Sequence, residues 1–340
     1  MPYIYNAHGD AYPLEEEAVA SYFSEEIATT IASVKAKQTE PCLTFALWTD
    51  AHYGSVDTVT FPNTVKNFKA VAKQIRYDGI LCLGDMTDGD KSKTVTAERL
   101  MNIMNLQRLC KVPVYFTAGN HDDNAYGSTS NYYTLPEMFT NYYSLCDNTV
   151  MHDLDNSATN FYKDFDQFKI RLISLNACNS DTGSAPHYKY SGTTTTWFTS
   201  VMGSVPEGYM VILISHLSPY SSHNWNETVP SNPSAVKTAI TSFIEGGGDF
   251  VMFIGHGHVD FEFTSPYLEI ATHCNKRNTE TEDFITVSGD DHKMPSGARG
   301  WKRTAGTATE DCWDTVVIKP GSRTISMIRF GAGEDREYTY

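Results

Sequence analysis

Ile80-Leu-Cys-Leu-Gly-Asp-Met-Thr-Asp88 is the stretch of sequence that decides the fold. Its first four residues form a short run without polar positions, which is typical of a strand buried on both faces of a parallel sheet. A glycine and two aspartates follow this run. Ligands of open α/β sheets bind at the carboxyl ends of the strands, so we expect these carboxylates at a functional site.

Four other apolar runs also end in polar residues that carry chemistry. They are Leu43–Trp48 before Asp50-Ala-His52, Val114–Thr117 before Gly119-Asn-His-Asp122, Val211–Ile214 before Ser215-His216, and Phe250–Ile254 before Gly255-His-Gly-His258. Five strands therefore deliver Asp, Asn or His side chains to one edge of the predicted sheet structure.

Two stretches with helical periodicity lie between the runs at 43–48, 80–83 and 114–117. Apolar residues recur at helical spacing over 65–75 and over 97–109, and strand–helix alternation predicts an α/β sheet with right-handed crossovers. Residues 161–165 and 170–175 predict a hairpin, and Ser234 is expected to cap a helix that ends at glycines 246–248. We predict a helical extension over 1–40 and a single domain over 41–340, with loop insertions and a C-terminal β-hairpin over 313–329.

Composition narrows the class of protein. The chain has 340 residues, of which 41% are hydrophobic, and a formal net charge of −15. This charge argues against a broad basic surface for a nucleic acid polymer. We expect no membrane span and no signal peptide, because apolar runs are short and the N-terminus lacks a basic and apolar leader. Seven cysteines without a C-x-x-C pair indicate a reducing compartment, so we expect a cytoplasmic protein.

The polar residues at the strand ends predict a metal site. Oxygen and nitrogen donors together suit Mn, Fe or Zn, whereas Ca and Mg prefer oxygen alone. Seven side chains are too many for one tetrahedral ion but suffice for two ions if one carboxylate bridges them. Two ions about 3.5–4 Å apart favour in-line attack at phosphorus. The seven side chains are two Asp, one Asn and four His.

The motifs D-x-H, G-D-x-x-D, G-N-H-D, a late His and G-H-x-H occur here in that order. This series resembles the calcineurin-like metallophosphoesterase superfamily over about residues 43–260. The resemblance implies an α/β fold of the α+β type, a four-layer α/β/β/α sandwich with mixed sheets. It also implies a dinuclear phosphoesterase that hydrolyses phosphate mono- or diesters by in-line attack of a hydroxide between the ions.

The resemblance assigns a role to each motif residue. It implies that Asp50, His52 and His258 bind the first ion, that Asp85 bridges, and that Asn120, His216 and His256 bind the second. It further implies that His121 protonates the leaving alkoxide or hydrogen-bonds the phosphate, while Asp88 holds the His121 imidazole in the useful tautomer.

Differences from the motifs of related families narrow the expected class of substrate. Purple acid phosphatases have Gly in place of His52 and Tyr in place of Asp88, and protein Ser/Thr phosphatases follow Asp88 with Arg-Gly, where this chain has Gly-Asp. The pattern equally resembles bacterial cyclic-nucleotide phosphodiesterases, so we expect a small phosphoester substrate. A nuclease of the same superfamily and a non-catalytic interaction module are the alternatives, and the oligomeric state is not predicted.

Two loop features bear on the substrate. Residues 126–143 contain five tyrosines, which would form either an aromatic lid for a nucleoside or a wall packed on the sheet edge. Residues 276–303 contain six basic side chains, which would either steer an anionic substrate or balance nearby acidic residues. These six residues are Lys276, Arg277, Lys293, Arg299, Lys302 and Arg303.

Overall fold

The structure is a computed structural model that describes residues 3–5, 11–13, 18–54, 58–178, 188–277, 295 and 297–340. Its strands are β1 (Tyr3–Tyr5), β2 (Ala11–Pro13), β3 (Leu43–Trp48), β4 (Gly79–Cys82), β5 (Val114–Phe116), β6 (Met151–His152), β7 (Phe161–Phe165), β8 (Ile170–Ser174), β9 (Met210–Ile214), β10 (Phe250–Ile254), β11 (Phe261–Phe263), β12 (Leu268–Ala271), β13 (Cys312–Lys319), β14 (Thr324–Gly331) and β15 (Arg336–Thr339). Its α-helices are α1 (Ser24–Lys37), α2 (Thr60–Ala72), α3 (Lys93–Leu109), α4 (Leu135–Asn141), α5 (Gly192–Gly203) and α6 (Pro233–Glu245).

The first sheet has the strand order β15-β14-β13-β3-β4-β5. Strands β3, β4 and β5 run parallel, with Phe45 opposite Gly79 and Ile80 opposite Val114. The C-terminal strands β13, β14 and β15 extend this sheet in antiparallel register, which confirms the predicted closing hairpin and adds one strand to it. All residues of β3, β4 and β5 are buried, as expected for strands covered on both faces.

The second sheet has the strand order β11-β12-β10-β9-β8-β7-β6. Strands β8, β9, β10 and β12 are parallel, whereas β7 pairs antiparallel with β8 in the predicted hairpin. Both sheets are therefore mixed. Their parallel strands end at the edge that carries the polar motifs.

The two sheets pack face to face and are covered by helices on the outside. Trp48 projects from β3 onto α2, where its ring meets the edges of Phe61 and Phe68, while Phe45 projects from the other face of β3 onto Phe165 of the second sheet. Helices α5 and α6 pack on each other, and their buried side chains join the outer face of the second sheet. The predicted four-layer α/β/β/α sandwich is confirmed.

The N-terminal region differs from the expected continuous helix. Residues 3–5 and 11–13 pair as antiparallel strands, which suits the β-branched and aromatic residues there. Within the predicted helical extension over 1–40, residues 14–17 lie outside the described residues, and α1 covers Ser24–Lys37. Helix α1 packs against β14, so it belongs to the outer layer of the first sheet. The division of the chain at residue 40 stays a prediction.

Several elements differ from the sequence prediction. Helix α6 begins at Pro233 and not at a Ser234 cap, because proline suits the first helical position and Asn232 precedes it without a side-chain capping bond. Helix α5 and strands β11, β12 and β15 were not predicted, and α5 is rich in threonine, a weak helix former. Among the helices of the described residues, none is long and apolar enough to cross a lipid bilayer.

Candidate metal centre

All seven predicted ligands meet at the shared carboxyl edge of the parallel strands. Asp50 and His52 follow β3, Asp85 follows β4 and Asn120 follows β5 in the first sheet, whereas the remaining three histidines follow β9 and β10 in the second. The site therefore lies where the edges of the two sheets face each other. Their roles as ligands stay a prediction, but their placement is the one that such roles require.

The first group of side chains contains Asp50, His52 and His258, whose potential ligand atoms lie within 4.8 Å of one another. The Nε2 atoms of His52 and His258 are 3.1 Å apart, and His258 Nε2 is 3.2 Å from Asp50 Oδ1. Thr49 Oγ1 and the His256 backbone N–H both donate to Asp50 Oδ2, which directs Oδ1 toward the imidazoles. One cation fits between these three side chains.

The second group contains Asp85, His216 and His256, again within 4.8 Å. His216 Nε2 lies 3.2 Å from Asp85 Oδ2 and 3.1 Å from Asn120 Oδ1. The other ring nitrogen of His216, Nδ1, lies 2.7 Å from the Leu83 carbonyl oxygen and donates a hydrogen bond to it, so Nε2 is the nitrogen that is placed to coordinate.

Asp85 stands between the two groups. Its Oδ2 is 3.8 Å from His52 Nε2 in the first group and 3.2 Å from His216 Nε2 in the second. Its Oδ1 accepts a hydrogen bond from the His121 backbone N–H, which fixes the rotation of the carboxylate. This is the position required of a bridging carboxylate.

The polar atoms present fit a pair of metal ions. His256 Nε2 is buried and has no hydrogen-bond partner among the described residues, and the His256 ring offers a nitrogen within 4.8 Å of potential ligand atoms of Asp85 and His216. A buried polar nitrogen without a partner costs free energy unless something binds it. Neutral imidazole nitrogens with carboxylate and amide oxygens form a donor set suited to Mn, Fe or Zn.

Burial and mutual charge separate the pKa values of three of the four imidazoles among the predicted ligands. Burial lowers the pKa of His52 to about 4 and that of His256 to about 3, with neighbouring histidines adding to both effects. Burial opposes protonation of His216 as well, but the carboxylates of Asp85 and Asp50 raise its pKa to about 9. His52 and His256 are consequently neutral at pH 7, which is the form of histidine that binds metal.

At two carboxylates of the site, the charges of neighbouring histidines outweigh burial and lower the pKa. Burial alone would raise the pKa of Asp50 and Asp85, yet His258 and His216 hold both pKa values below the usual range. Asp122 differs, because burial and the charge of Asp85 raise its pKa to about 7. Asp50 and Asp85 therefore stay ionised in a buried place, where their oxygens are available to divalent cations.

Five of the seven predicted ligands have left-handed backbone conformations, which non-glycine residues adopt rarely. Such backbone is costly and persists only where the surrounding structure imposes it, typically at functional sites. These five residues, with φ in parentheses, are Asp50 (50°), His52 (42°), Asp85 (53°), His256 (67°) and His258 (56°).

Glycines let the two central loops approach each other. A Cβ atom on Gly84, which has φ of +95°, would lie 2.3 Å from the Gly119 nitrogen. A Cβ atom on Gly119 would lie 2.1 Å from Asp85 Oδ1. Both glycines are therefore required for the close packing that brings Asp85 and Asn120 into one site.

His121 lies at the edge of the site with its ring oriented by the backbone. Its Nδ1 is 2.7 Å from the Asp88 carbonyl oxygen, and its Nε2 is 3.9 Å from Asp85 Oδ2. A carbonyl oxygen only accepts, so Nδ1 carries a proton and Nε2 faces the centre. The prediction that Asp88 orients His121 therefore needs a correction, because the backbone of Asp88 makes this contact and its carboxylate does not.

The Asp88 carboxylate instead faces His52 and two cations. Its Oδ1 lies 3.7 Å from His52 Nδ1 and 3.9 Å from Lys276 Nζ, while Oδ2 lies 3.9 Å from an Arg99 nitrogen. Burial opposes ionisation of Asp88, but His52 lowers its pKa. The carboxylate therefore supports a predicted ligand, and it does so from the side away from the metal centre.

The basic residues predicted over 276–303 have different surroundings in the structure. Lys276 reaches the rim of the site, but Arg299 pairs with Glu262 and Arg303 donates to backbone carbonyl oxygens of buried residues. Lys293 lies outside the described residues. Arg299 and Arg303 thus have structural partners.

Sequence reasoning missed two features of the site. Asp122 accepts hydrogen bonds from the backbone N–H groups of Asp85, Met86 and Gly119, and so joins the two central loops. Its place in G-N-H-D could have indicated this role. Tyr126 stacks on His121 with ring centroids 4.1 Å apart, a contact that no spacing rule indicates.

Comparison with known proteins places this geometry in a family. The fold is similar to the crystal structure of a dimetal phosphatase from Danio rerio, with a TM-score of 0.63 and 14% identity over 88% of this chain and 100% of that chain. Lower similarity links it to GAP50, the anchor in the inner membrane complex of Plasmodium, with a TM-score of 0.46 and 13% identity over 85% of this chain and 84% of that chain. For a putative 5′-nucleotidase from Staphylococcus aureus the TM-score is 0.44, with 11% identity over 88% of this chain and 54% of that chain.

No curated protein matches the sequence of this chain. The calcineurin-like phosphoesterase family, in contrast, matches residues 43–260, which hold all five motifs and all seven predicted ligands. The match covers more than half of the chain, and the solved phosphatase shares its fold over most of its length. The chain belongs to the calcineurin-like phosphoesterase family.

Proposed function

We propose that this protein hydrolyses phosphate mono- or diesters at a centre of two divalent ions of the Mn, Fe or Zn class. The position of Asp85 carries this proposal. Its Oδ2 lies within 4 Å of an imidazole nitrogen from each of the two ligand groups, as a shared ligand must. Membership of a phosphoesterase family supports the same reaction class.

Each ion has its own set of holding residues in this proposal. Asp50, His52 and His258 would hold one ion, Asn120, His216 and His256 the other, and Asp85 both. When bound, such ions polarise the phosphoryl group and lower the pKa of water. The protein side chains fix the spacing, and burial of the carboxylates strengthens their hold on cations.

His121 is the proton donor of the proposed reaction. Its Nδ1–H is held by the Asp88 carbonyl oxygen, so its Nε2 can carry a second proton toward a substrate placed over Asp85. In hydrolysis the ester P–O bond breaks with its electron pair on the leaving oxygen. Nε2–H supplies the proton that this oxygen needs to depart as a neutral alcohol.

Asp85→Asn tests the shared ligand. The amide lacks the charge and the second anionic oxygen, so we expect the two-ion stoichiometry to fall and hydrolysis of bis-p-nitrophenyl phosphate to drop at least about 100-fold. Metal content after dialysis and steady-state rates measure both effects. Asp249→Asn is the control, because Asp249 is a charged residue at the opposite end of β10, paired with Arg323.

Two tightly bound ions in Asp85→Asn would show that this carboxylate is not shared. A panel of phosphomonoesters, cyclic nucleotides, phosphodiesters and DNA, each with Mn²⁺, Fe²⁺ and Zn²⁺, tests the reaction class. Turnover of a monoester or diester is expected. Absence of turnover across the whole panel, with both ions bound, would contradict the proposal.

A further inference from the structure

Tyr126 is an exposed aromatic side chain in contact with the proposed proton donor. It is 67% exposed, yet its ring stacks on His121 with centroids 4.1 Å apart and an interplanar angle of 27°. One face of the phenol ring therefore covers the imidazole while much of the remaining ring surface is open to solvent. An exposed aromatic ring held in this way is available to a ligand.

The other tyrosines of residues 126–143 have different places. Tyr133, Tyr142 and Tyr143 are buried in the core that joins the first sheet and its helices. Tyr132 is half-buried and lies beside the Lys93 ammonium. Three of the five tyrosines thus form a packed wall, whereas Tyr126 lies against His121, and the aromatic lid for a nucleoside stays a prediction.

The loop that carries Tyr126 is anchored on both sides. The Asn124 amide donates to the carbonyl oxygens of Lys91 and Asn131, and its oxygen accepts from Thr96. On the other side, the Gly127 backbone approaches Asp90 so closely that a Cβ atom would lie 2.6 Å from the Asp90 carbonyl oxygen. These contacts hold the ring in place, so binding a ligand costs little ordering entropy.

The stacking partner of Tyr126 determines which part of a substrate it would meet. His121 Nε2 faces Asp85, and in the proposed function it protonates the leaving oxygen. The organic group attached to that oxygen would therefore lie next to His121, on whose ring Tyr126 stacks. In the proposed function the reacting phosphoryl group, in contrast, would lie over the ligand atoms.

We infer that Tyr126 is a stacking platform for a planar aromatic leaving group, so that this protein prefers aryl, arylmethyl or nucleoside phosphoesters over aliphatic ones. The inference rests on the proposed function. Water supplies the new P–O bond, the old P–O electron pair goes to the leaving oxygen, and that oxygen takes the His121 proton. The proton lost by water balances the one that His121 gives.

Matched substrates test the platform in the Mn²⁺-loaded full chain. Benzyl phosphate and cyclohexylmethyl phosphate have similar primary leaving alcohols, but only the first is planar. We expect the wild-type kcat/KM to favour the benzyl ester about tenfold, and Tyr126→Ala to remove this ratio. Tyr126→Phe keeps the ring and should keep the ratio, as should Tyr132→Ala, which removes a tyrosine outside the site.

A second pair distinguishes a nucleoside from a simple aryl group. Adenosine 5′-monophosphate against ribose 5-phosphate measures the contribution of a base, and a larger ratio than for the benzyl pair identifies a nucleoside as the preferred leaving group. Equal ratios identify a simple aromatic group. Either result requires that Tyr126→Ala removes the preference.

Dissociation constants of benzylphosphonate and cyclohexylmethylphosphonate, which are not hydrolysed, separate the platform from the reaction. If the wild type hydrolyses nothing but binds the benzyl compound more tightly in a Tyr126-dependent manner, the proposed function fails and the platform stands. If Tyr126→Ala weakens both members of each pair equally, Tyr126 only supports His121 and the platform is wrong.

Discussion

His121 has one nitrogen fixed and one nitrogen available, which makes its contribution measurable. The Asp88 carbonyl oxygen holds Nδ1, so a substrate meets only Nε2. We expect His121→Ala to lower the rate for an alkyl phosphate by about 10²- to 10⁴-fold, because a poor leaving alkoxide needs a proton. For 4-nitrophenyl phosphate, whose phenolate departs without one, the loss should be far smaller.

Steady-state rates for the two substrates, with the same metal, check this prediction. His152→Ala is the control, since His152 lies in the edge strand β6 and hydrogen-bonds the Ala158 carbonyl oxygen. Equal losses for both substrates in His121→Ala would show that the imidazole binds phosphate and does not protonate the leaving group.

The backbone and the side chain of Asp88 contact different histidines, so a mutation can test the two contacts separately. Its carbonyl oxygen faces His121, whereas its carboxylate lies 3.7 Å from His52 Nδ1. Asp88→Asn keeps the carbonyl oxygen but removes the charge behind a proposed ligand. We expect metal affinity to fall about 10- to 100-fold, while the dependence of the rate on the leaving group stays that of the wild type.

Metal titrations by calorimetry and the ratio of alkyl to 4-nitrophenyl rates at saturating metal test this separation. If Asp88→Asn gave the leaving-group dependence of His121→Ala, its carboxylate would act on His121 after all. Asp155→Asn, at an exposed aspartate of the described residues, controls for loss of one surface charge.

At the scale of elements, the loops after β4 and β5 are joined by one buried carboxyl group. Asp122 accepts three backbone hydrogen bonds, from Asp85, Met86 and Gly119. Asp122→Ala leaves these donors without an acceptor, so we expect a loss of about 3 kcal/mol or more in the free energy of unfolding. Metal affinity should fall with it, because these loops carry Asp85 and Asn120.

Urea unfolding and metal titration of the folded fraction measure the two effects. Asp122→Asn retains one acceptor oxygen and should be less destabilised than Asp122→Ala. If Asp122→Ala had wild-type stability, water or another group would satisfy the three donors. Asp122 would then not be the group that holds the two loops together.

The sequence predicted the elements that the core requires and missed those that depend on context. Wholly apolar runs such as Ile80–Leu83 become buried parallel strands in any sheet with both faces covered, and the order of the runs placed the motifs on one edge. Helix α5 has a threonine-rich sequence, and tertiary packing of Phe198 and Val201 overrides its weak propensity. Stacking of Tyr126 on His121 depends on loop backbone, which periodicity does not describe.

At the scale of the whole molecule, the centre joins the two sheets. The first sheet supplies Asp50, His52, Asp85 and Asn120, and the second supplies the three remaining histidines. A buried ion-pair network joins the sheets nearby, where Arg329 of β14 binds Asp314 of β13 and Asp260 beside β11. Breaking a buried ion pair costs free energy, so the network holds the two sheet edges in their relative position.

Because the proposed ligands come from both sheets, ion binding should stabilise the whole fold and not one loop. Ions that bind only the folded chain raise the free energy of unfolding by about 2.7 kcal/mol per site at a free concentration 100 times the Kd. We expect Mn²⁺ to shift the urea midpoint of the wild type upward in a single transition. Asp85→Asn should shift much less, because it loses the shared ligand. An equal shift in this variant would place the stabilising ions outside the site, and two separate transitions would show that the sheets unfold independently.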